Sequence, residues 1–126
     1  MIQNFELFVL AWLGIGLIAF ITLLKIPAPY GKFAQENWGP MIPSKIGWIV
    51  MEIISPLTLL YFYCNGDIEK SITSTIFITF WVAHYFNRSL IYPLRQNNPA
   101  KMPLLIAILA FLFNIGNGFV NGIFLG

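Results

Sequence analysis

Long apolar stretches alternate with short polar connections along the 126 residues of the chain. A transmembrane helix needs about 20 consecutive, mostly apolar residues, and four stretches approach that length. They cover approximately residues 5–24, 46–63, 71–92 and 103–125. Pro93 stands where the third stretch is expected to end, and Pro103 suits the first turn of the fourth. The pattern predicts an all-α, polytopic membrane protein whose residues 1–126 form four transmembrane helices.

The composition agrees with a membrane protein and excludes several other classes. Hydrophobic side chains make up 58% of the residues and charged ones 10%, with a mean hydropathy of +0.76; soluble domains carry about 25% charged residues. The net charge of +2 comes without a basic cluster, so we expect no nucleic-acid partner. Cys64 is the single cysteine, which excludes an internal disulfide and a cysteine-based metal site. We predict no metal site.

The basic residues indicate the orientation in the membrane. The second connection holds Lys70 alone, and six of the seven Lys and Arg residues belong to the first and third connections: Lys25, Lys32, Lys45, Arg88, Arg95 and Lys101. Cytoplasmic loops carry an excess of Lys and Arg. We therefore expect these two connections to be cytoplasmic, in a bacterial inner membrane or the endoplasmic reticulum.

Glu52 is the only acidic residue in the interior of a predicted helix. A carboxylate at the bilayer centre costs at least about 2.5 kcal/mol, so we expect Glu52 to face a cavity or a partner, or to be uncharged. Pro56, four residues later, lacks the N–H that would bond the carbonyl of Glu52, which predicts a bend and a free acceptor. A structural hydrogen bond between helices is the simpler alternative.

The cytoplasmic end of the third stretch is unusually polar. On a helix Tyr85, Arg88 and Tyr92 share one face, with His84 beside them. Arg88 and Tyr92 could each be an ordinary interfacial anchor, but that explanation accounts poorly for His84 and Tyr85, which lie deeper. Tyr30, in the first connection, could meet an anionic ligand or anchor the interface equally well.

The fourth stretch places three asparagines on one face and two glycines at close-packing spacing. Asn114, Asn117 and Asn121 follow the i, i+3, i+7 pattern, and they could either cross-link helices or line a polar site. Gly118 and Gly122 form a small-xxx-small pair, which predicts the close approach of another helix.

Four blocks resemble, in order, the N-terminal half of the steroid 5α-reductase family, membrane enzymes that reduce an enone double bond with NADPH. The blocks are "YGKFA" (30–34), "GWIVMEIISP" (47–56), "HYFNRSLIYP" (84–93) and the pair "KMPLL" (101–105) with "GNGFVNGIFL" (116–125). The resemblance covers about residues 27–125, and the third block is the most specific. Met51 departs from the pattern, because the family often has Gln there.

The resemblance implies a fold of seven transmembrane helices, of which this chain would supply the first four. Most of the NADPH site would lie in a missing C-terminal half, so we expect the chain to be an incomplete fragment, inactive alone. Glu52, uncharged, and Tyr85 would donate hydrogen bonds to the carbonyl oxygen of a 3-oxo-Δ4 steroid or similar lipid enone. The remaining expected contacts are Tyr30, Arg88 and Tyr92 for the cofactor, and Trp48, Met51, His84 and Asn117 for the substrate.

Two other functions are compatible with these residues. A small multi-span transporter could use Glu52 as its titrating group, which predicts pH-dependent flux without a nicotinamide cofactor. A non-catalytic membrane scaffold could use Glu52 and the asparagines only to join helices. The physiological substrate is not specified by the sequence, since a steroid and another lipid enone need the same apolar cleft.

Overall fold

The computed structural model describes residues 2–97 and 100–126, with side chains from Asn4 onwards. The described chain is mostly helical. Its α-helices are α1 (Ile2–Leu23), α2 (Ser44–Asn65), α3 (Ile72–Phe86), α4 (Tyr92–Arg95) and α5 (Leu104–Leu125). Within the described residues, α1, α2 and α5 are long and apolar enough to cross a membrane. The protein is therefore an all-α membrane protein, and the predicted helices near 5–24, 46–63 and 103–125 are present.

The third apolar stretch is helical but not regular. A π-helical turn, Asn87–Ile91, joins α3 to α4, and the N–H of Tyr92 bonds the carbonyl of Asn87, five residues earlier. The helical path continues through Pro93 to Arg95, so the prediction that Pro93 marks the end of the helix is wrong. A proline ring clashes with the carbonyl four residues before it in a regular helix, and the wider π turn lies at that position. Such turns occur frequently at functional sites.

Helices α2 and α5 form the closest helix pair. A Cβ placed on Gly118 would lie 2.8 Å from the carbonyl oxygen of Ser55, and one on Gly122 would lie 2.9 Å from that of Leu59. Only glycine allows backbones to approach so closely. The predicted small-xxx-small contact is confirmed, and its partner is α2.

A short antiparallel ladder, which no pattern in the sequence predicts, joins the starts of α2 and α5. Strand β1 (Met41–Pro43) pairs with β2 (Lys101–Pro103), with Ile42 opposite Met102. Both of these residues precede a proline, and that position disfavours helical backbone. The ladder brings the first turns of α2 and α5 side by side. Before β1, the first connection also contains two short 3₁₀ turns, Gly31–Phe33 and Glu36–Trp38.

Helix α1 lies on the outside of the α2–α5 pair and has no fully buried residue among those described. Its attachment to α5 is aromatic: the Trp12 ring stacks on Phe113 at 5.4 Å, and the Phe8 ring meets Phe119 edge-on at 5.1 Å. The Trp12 ring also fills the space beside Gly116. Exposed apolar surface of this kind suits a helix that faces lipid.

Candidate functional site

An ion pair between α2 and the π turn forms the centre of the site. The Nε of Arg88 lies 2.8 Å from Oε1 of Glu52. Glu52 is 4% exposed, whereas the side chain of Arg88 is 44% exposed. The expectation that Glu52 faces a partner is confirmed. A guanidinium at this distance can form a charge-assisted hydrogen bond with a carboxylate, and the uncharged carboxyl stays a prediction.

One aromatic ring lies against the guanidinium of Arg88, and two more rings pack against that ring. Its guanidinium carbon lies 5.0 Å from the centre of the Trp48 ring, a cation–π distance. The Trp48 ring meets Tyr92 edge-on at 5.3 Å and Tyr30 at 6.2 Å. The predicted residues Tyr30, Trp48, Arg88 and Tyr92 therefore lie together, although they come from three separate parts of the chain.

A cavity of about 340 Å³ opens beside this group. Its lining combines a cation, an imidazole, an amide, a phenol and an indole, from Trp48, His84, Asn87, Arg88 and Tyr92. Asn87 was not predicted as a site residue, although it directly precedes Arg88 in the most specific block. Such a lining suits a ligand with an anionic or strongly polar part and a flat part.

Tyr85 points to different partners. Its ring stacks on Trp81 at 5.4 Å, and its hydroxyl donates to Oδ1 of Asn114 at 3.3 Å. The Nδ2 of Asn114 in turn donates to the backbone carbonyl of Met51 at 2.6 Å. Tyr85 is thus linked through Asn114 to the backbone of Met51, the residue before Glu52. Among the described residues, no hydrogen bond joins the side chains of Tyr85 and Glu52 directly.

Of the three asparagines on the predicted face of α5, Asn114 is the one whose amide bonds to other helices. It is 6% exposed. The Nδ2 of Asn121 donates instead to the carbonyl and the side-chain oxygen of Asn117, within α5. The contacts of Asn117 therefore do not bring it to the cavity. The i, i+3, i+7 spacing indicated the face but not which amide crosses it.

Of two predicted substrate residues, His84 lies at the cavity and Met51 is buried. His84 lines the cavity and is exposed, with its ring 5.1 Å from that of Tyr85. Met51 is buried in α2, and its backbone carbonyl is taken by Asn114. Its polar contribution is therefore a main-chain acceptor. The prediction named the carbonyl of Glu52 as the free acceptor. The carbonyl that Asn114 contacts is that of Met51, one residue earlier.

No protein-family model matches the chain. It is similar to Steroid 5-alpha-reductase DET2 of Gossypium hirsutum, with 32% identity over 85% of the chain and 43% of that protein. Steroid 5-alpha-reductase DET2 of Arabidopsis thaliana matches with 38% identity over 79% of the chain and 41% of its own length. The 3-oxo-5-alpha-steroid 4-dehydrogenase 1 of Bos taurus matches with 28% identity over 98% of the chain and 50% of its own length.

The chain therefore spans about half the length of the curated relatives that it matches. The matched region nevertheless includes nearly all of the chain in the bovine case. Over most of its own length the chain is a homologue of the steroid 5-alpha-reductases, and the resemblance identified from its four sequence blocks is confirmed.

Proposed function

We propose that this chain forms part of a membrane enzyme that reduces the carbon–carbon double bond of an α,β-unsaturated ketone, such as a 3-oxo-Δ4 steroid, with NADPH. The observation that carries the proposal is the cavity beside the Glu52–Arg88 ion pair. A buried carboxylate joined to a half-exposed arginine is costly for a membrane helix, and here it lies at a polar opening. The names of the homologues indicate the reaction class.

The residues around the cavity fit one part of the cofactor. At about 340 Å³ the cavity is near the lower limit of small-molecule sites, so it suits a phosphate, ribose or nicotinamide group but not a whole dinucleotide. Arg88 uses Nε on Glu52, and guanidinium groups pair well with phosphates. Arg88, Tyr92 and Tyr30 would hold the cofactor at this point, and the bound cofactor supplies the hydride.

Tyr85 is the residue best suited to assist the chemistry. When hydride reaches the β-carbon of an enone, negative charge develops on the carbonyl oxygen, and a phenol O–H donated to that oxygen stabilises it. Such a bond is stronger in an apolar, water-excluded site. The family resemblance implies substrate contacts from Trp48, Met51, His84 and Asn117. Of these, Trp48 and His84 line the cavity, and His84 lies next to the Tyr85 ring.

Glu52 could contribute to the reaction in two ways, and one substitution distinguishes them. As the second donor to the carbonyl oxygen, which the family resemblance implies, it would have to be protonated. As the counter-ion of Arg88, which the 2.8 Å contact supports, it holds the guanidinium at the cavity. Glutamine can donate a hydrogen bond but cannot form the ion pair. Glu52→Gln therefore preserves much of the turnover only in the first case.

The chain would be completed by a further part of the protein. Its relatives are about twice as long, and the cavity accommodates only a portion of NADPH. We propose that additional helices supply the rest of the cofactor site. The helical path from Ile72 to Arg95 would be a fourth membrane span, and the basic connections would face the cytoplasm, as the distribution of Lys and Arg predicts.

The test is made in the full-length membrane protein that contains this chain. Tyr85→Phe is expected to lower kcat for a 3-oxo-Δ4 steroid by about 100- to 1000-fold, the usual effect of losing one such donor. Product is measured by mass spectrometry, with NADPH as reductant. Tyr61→Phe is the matched control, because Tyr61 is exposed on α2. Wild-type turnover in both Tyr85→Phe and Glu52→Gln would refute the assignment.

The transporter alternative is less well supported. A titrating carrier needs an acid that exchanges its proton during transport, and Glu52 is engaged with Arg88. It would show pH-dependent flux into vesicles without any nicotinamide requirement, so the same purified protein distinguishes the two functions.

A further inference from the structure

We infer that Asn114 is a positioning residue that fixes the ring of Tyr85 and sets the direction of its hydroxyl proton. The inference rests on the proposed function, in which Tyr85 donates to the substrate carbonyl. Asn114 touches neither the cavity lining nor Arg88 among the described contacts. It acts only through Tyr85 and through the backbone of α2.

The orientation of the Asn114 amide is determined by its partners. The carbonyl oxygen of Met51 can only accept, so the group 2.6 Å from it must be the NH₂. The amide oxygen then faces Tyr85, and a tyrosine hydroxyl facing an acceptor must donate. The reversed amide would place two oxygens against each other. The α2 backbone thus determines, through one side chain, where the Tyr85 proton points.

The two hydrogen bonds differ in strength. At 2.6 Å the bond to Met51 is short, and it anchors the amide in a nearly fully buried position. At 3.3 Å the bond from Tyr85 is much longer than the usual 2.7–2.8 Å for hydroxyl donors. A firmly held acceptor with a weak bond keeps the phenol in place, and the phenol can transfer its hydrogen bond to a better-placed carbonyl oxygen at little cost.

Three helices meet at this point because of these contacts. Asn114 belongs to α5, Tyr85 to α3, and Met51 to α2, one residue from Glu52. Loss of the amide would free the Tyr85 ring to rotate about its side-chain bonds while leaving the cavity residues in place. The expected consequence is a slower chemical step without a comparable loss of substrate affinity.

The experiment uses the full-length protein with Asn114→Leu, which has a similar size but no hydrogen-bonding groups. We expect kcat to fall by roughly three- to tenfold, the effect of one net hydrogen bond, while KM changes by less than about twofold. Asn114→Ala gives a second measurement if the leucine variant does not fold. Asn121→Leu is the matched control, since its amide bonds only within α5, and we expect it to retain wild-type kcat.

A double variant separates positioning from general loss of structure. If Asn114 acts through Tyr85, adding Asn114→Leu to Tyr85→Phe lowers kcat no further than Tyr85→Phe alone. Multiplied losses in the double variant, or an equal fall in Asn121→Leu, would overturn the inference.

A spectroscopic measurement keeps this inference independent of the proposed function. With 3-fluorotyrosine at position 85, the ¹⁹F resonance is expected to shift in Asn114→Leu and to stay unchanged in Asn121→Leu. An unchanged resonance in Asn114→Leu refutes the positioning role even if the enzyme is active. A shifted resonance in a protein that reduces no enone supports the contact and refutes only the proposed reaction.

Discussion

Two cations from outside α2 join distant parts of the chain, one beyond the C-terminal end of α2 and one beside its N-terminal half, and they are used differently. Beyond the C-terminal end of α2, the ammonium of Lys70 donates to the carbonyls of Gly66, Ile68 and Gly126 at 2.9, 2.9 and 2.7 Å. Near its N-terminal half, Arg88 pairs through Nε with Glu52 and faces a cavity.

The difference lies in what each cation has left to offer a ligand. An ammonium has three donors, and those of Lys70 all meet backbone carbonyls. A guanidinium has five, and the ion pair of Arg88 accounts for one nitrogen. Lys70 therefore has a structural role, holding three backbone carbonyls together, whereas Arg88 retains the capacity to bind an anion.

Among the tests of these two cations, the largest effect is expected for Arg88→Leu in the full-length protein. Removing the charge leaves Glu52 buried without its partner and takes away the proposed phosphate contact, so we expect NADPH affinity to fall by at least about 30-fold. Arg88→Lys should recover only part of it, because lysine lacks the planar fork. Binding is measured by titration of the purified protein. If Arg88→Leu binds NADPH as tightly as wild type, the distinction between the two cations is lost.

A smaller effect, on stability alone, is expected for Lys70→Met. The variant keeps the length of the side chain but leaves three carbonyls without their shared donor, which should lower the free energy of unfolding by about 1–2 kcal/mol. Thermal unfolding in detergent measures it, and NADPH affinity should be unchanged. Glu69→Gln, in the same turn, is the control for a change of charge. A drop in NADPH affinity without a change in melting temperature would contradict the assignment.

The smallest effect is expected for Tyr63→Phe at the same end of α2. The Tyr63 hydroxyl meets the hydroxyls of Ser74 and Thr75, both at 3.3 Å, and so fastens the start of α3 to α2. Because both bonds are long, their loss should cost only about 0.5–1 kcal/mol of stability. Tyr61→Phe again serves as control. A loss as large as that of Lys70→Met would show that the hydroxyl cluster, not the ammonium, holds this end together.

Much of the fold could be predicted because helices in lipid need long apolar runs. The ladder between Met41–Pro43 and Lys101–Pro103 could not, since its strands are three residues long and their pairing depends on distant parts of the chain. The course of the chain around Pro93 was also mispredicted. A proline usually ends a helix, and here the π turn Asn87–Ile91 lets the helix continue.

The sequence predicted which residues belong to the site more successfully than it predicted which of them contact one another. Glu52 was identified because an acid in an apolar run is costly, and Arg88 because it stood beside other polar residues on a helix. Their pairing, and the Trp48 ring that lies against the guanidinium and meets Tyr92, join parts of the chain that are far apart in sequence. Asn114 and Asn117 looked alike in spacing, yet of the two only Asn114 donates to the backbone of α2 among the described hydrogen bonds.

By itself the sequence determined that this is a helical membrane protein with a buried acid, a polar helix end and the residue blocks of the steroid 5-alpha-reductases. Local periodicity and composition are sufficient for those conclusions, because the bilayer restricts the backbone to few structures. Only the tertiary structure decided which polar groups meet. That choice depends on helix rotation and crossing, which the glycine contacts between α2 and α5 fix and which no single stretch of sequence encodes.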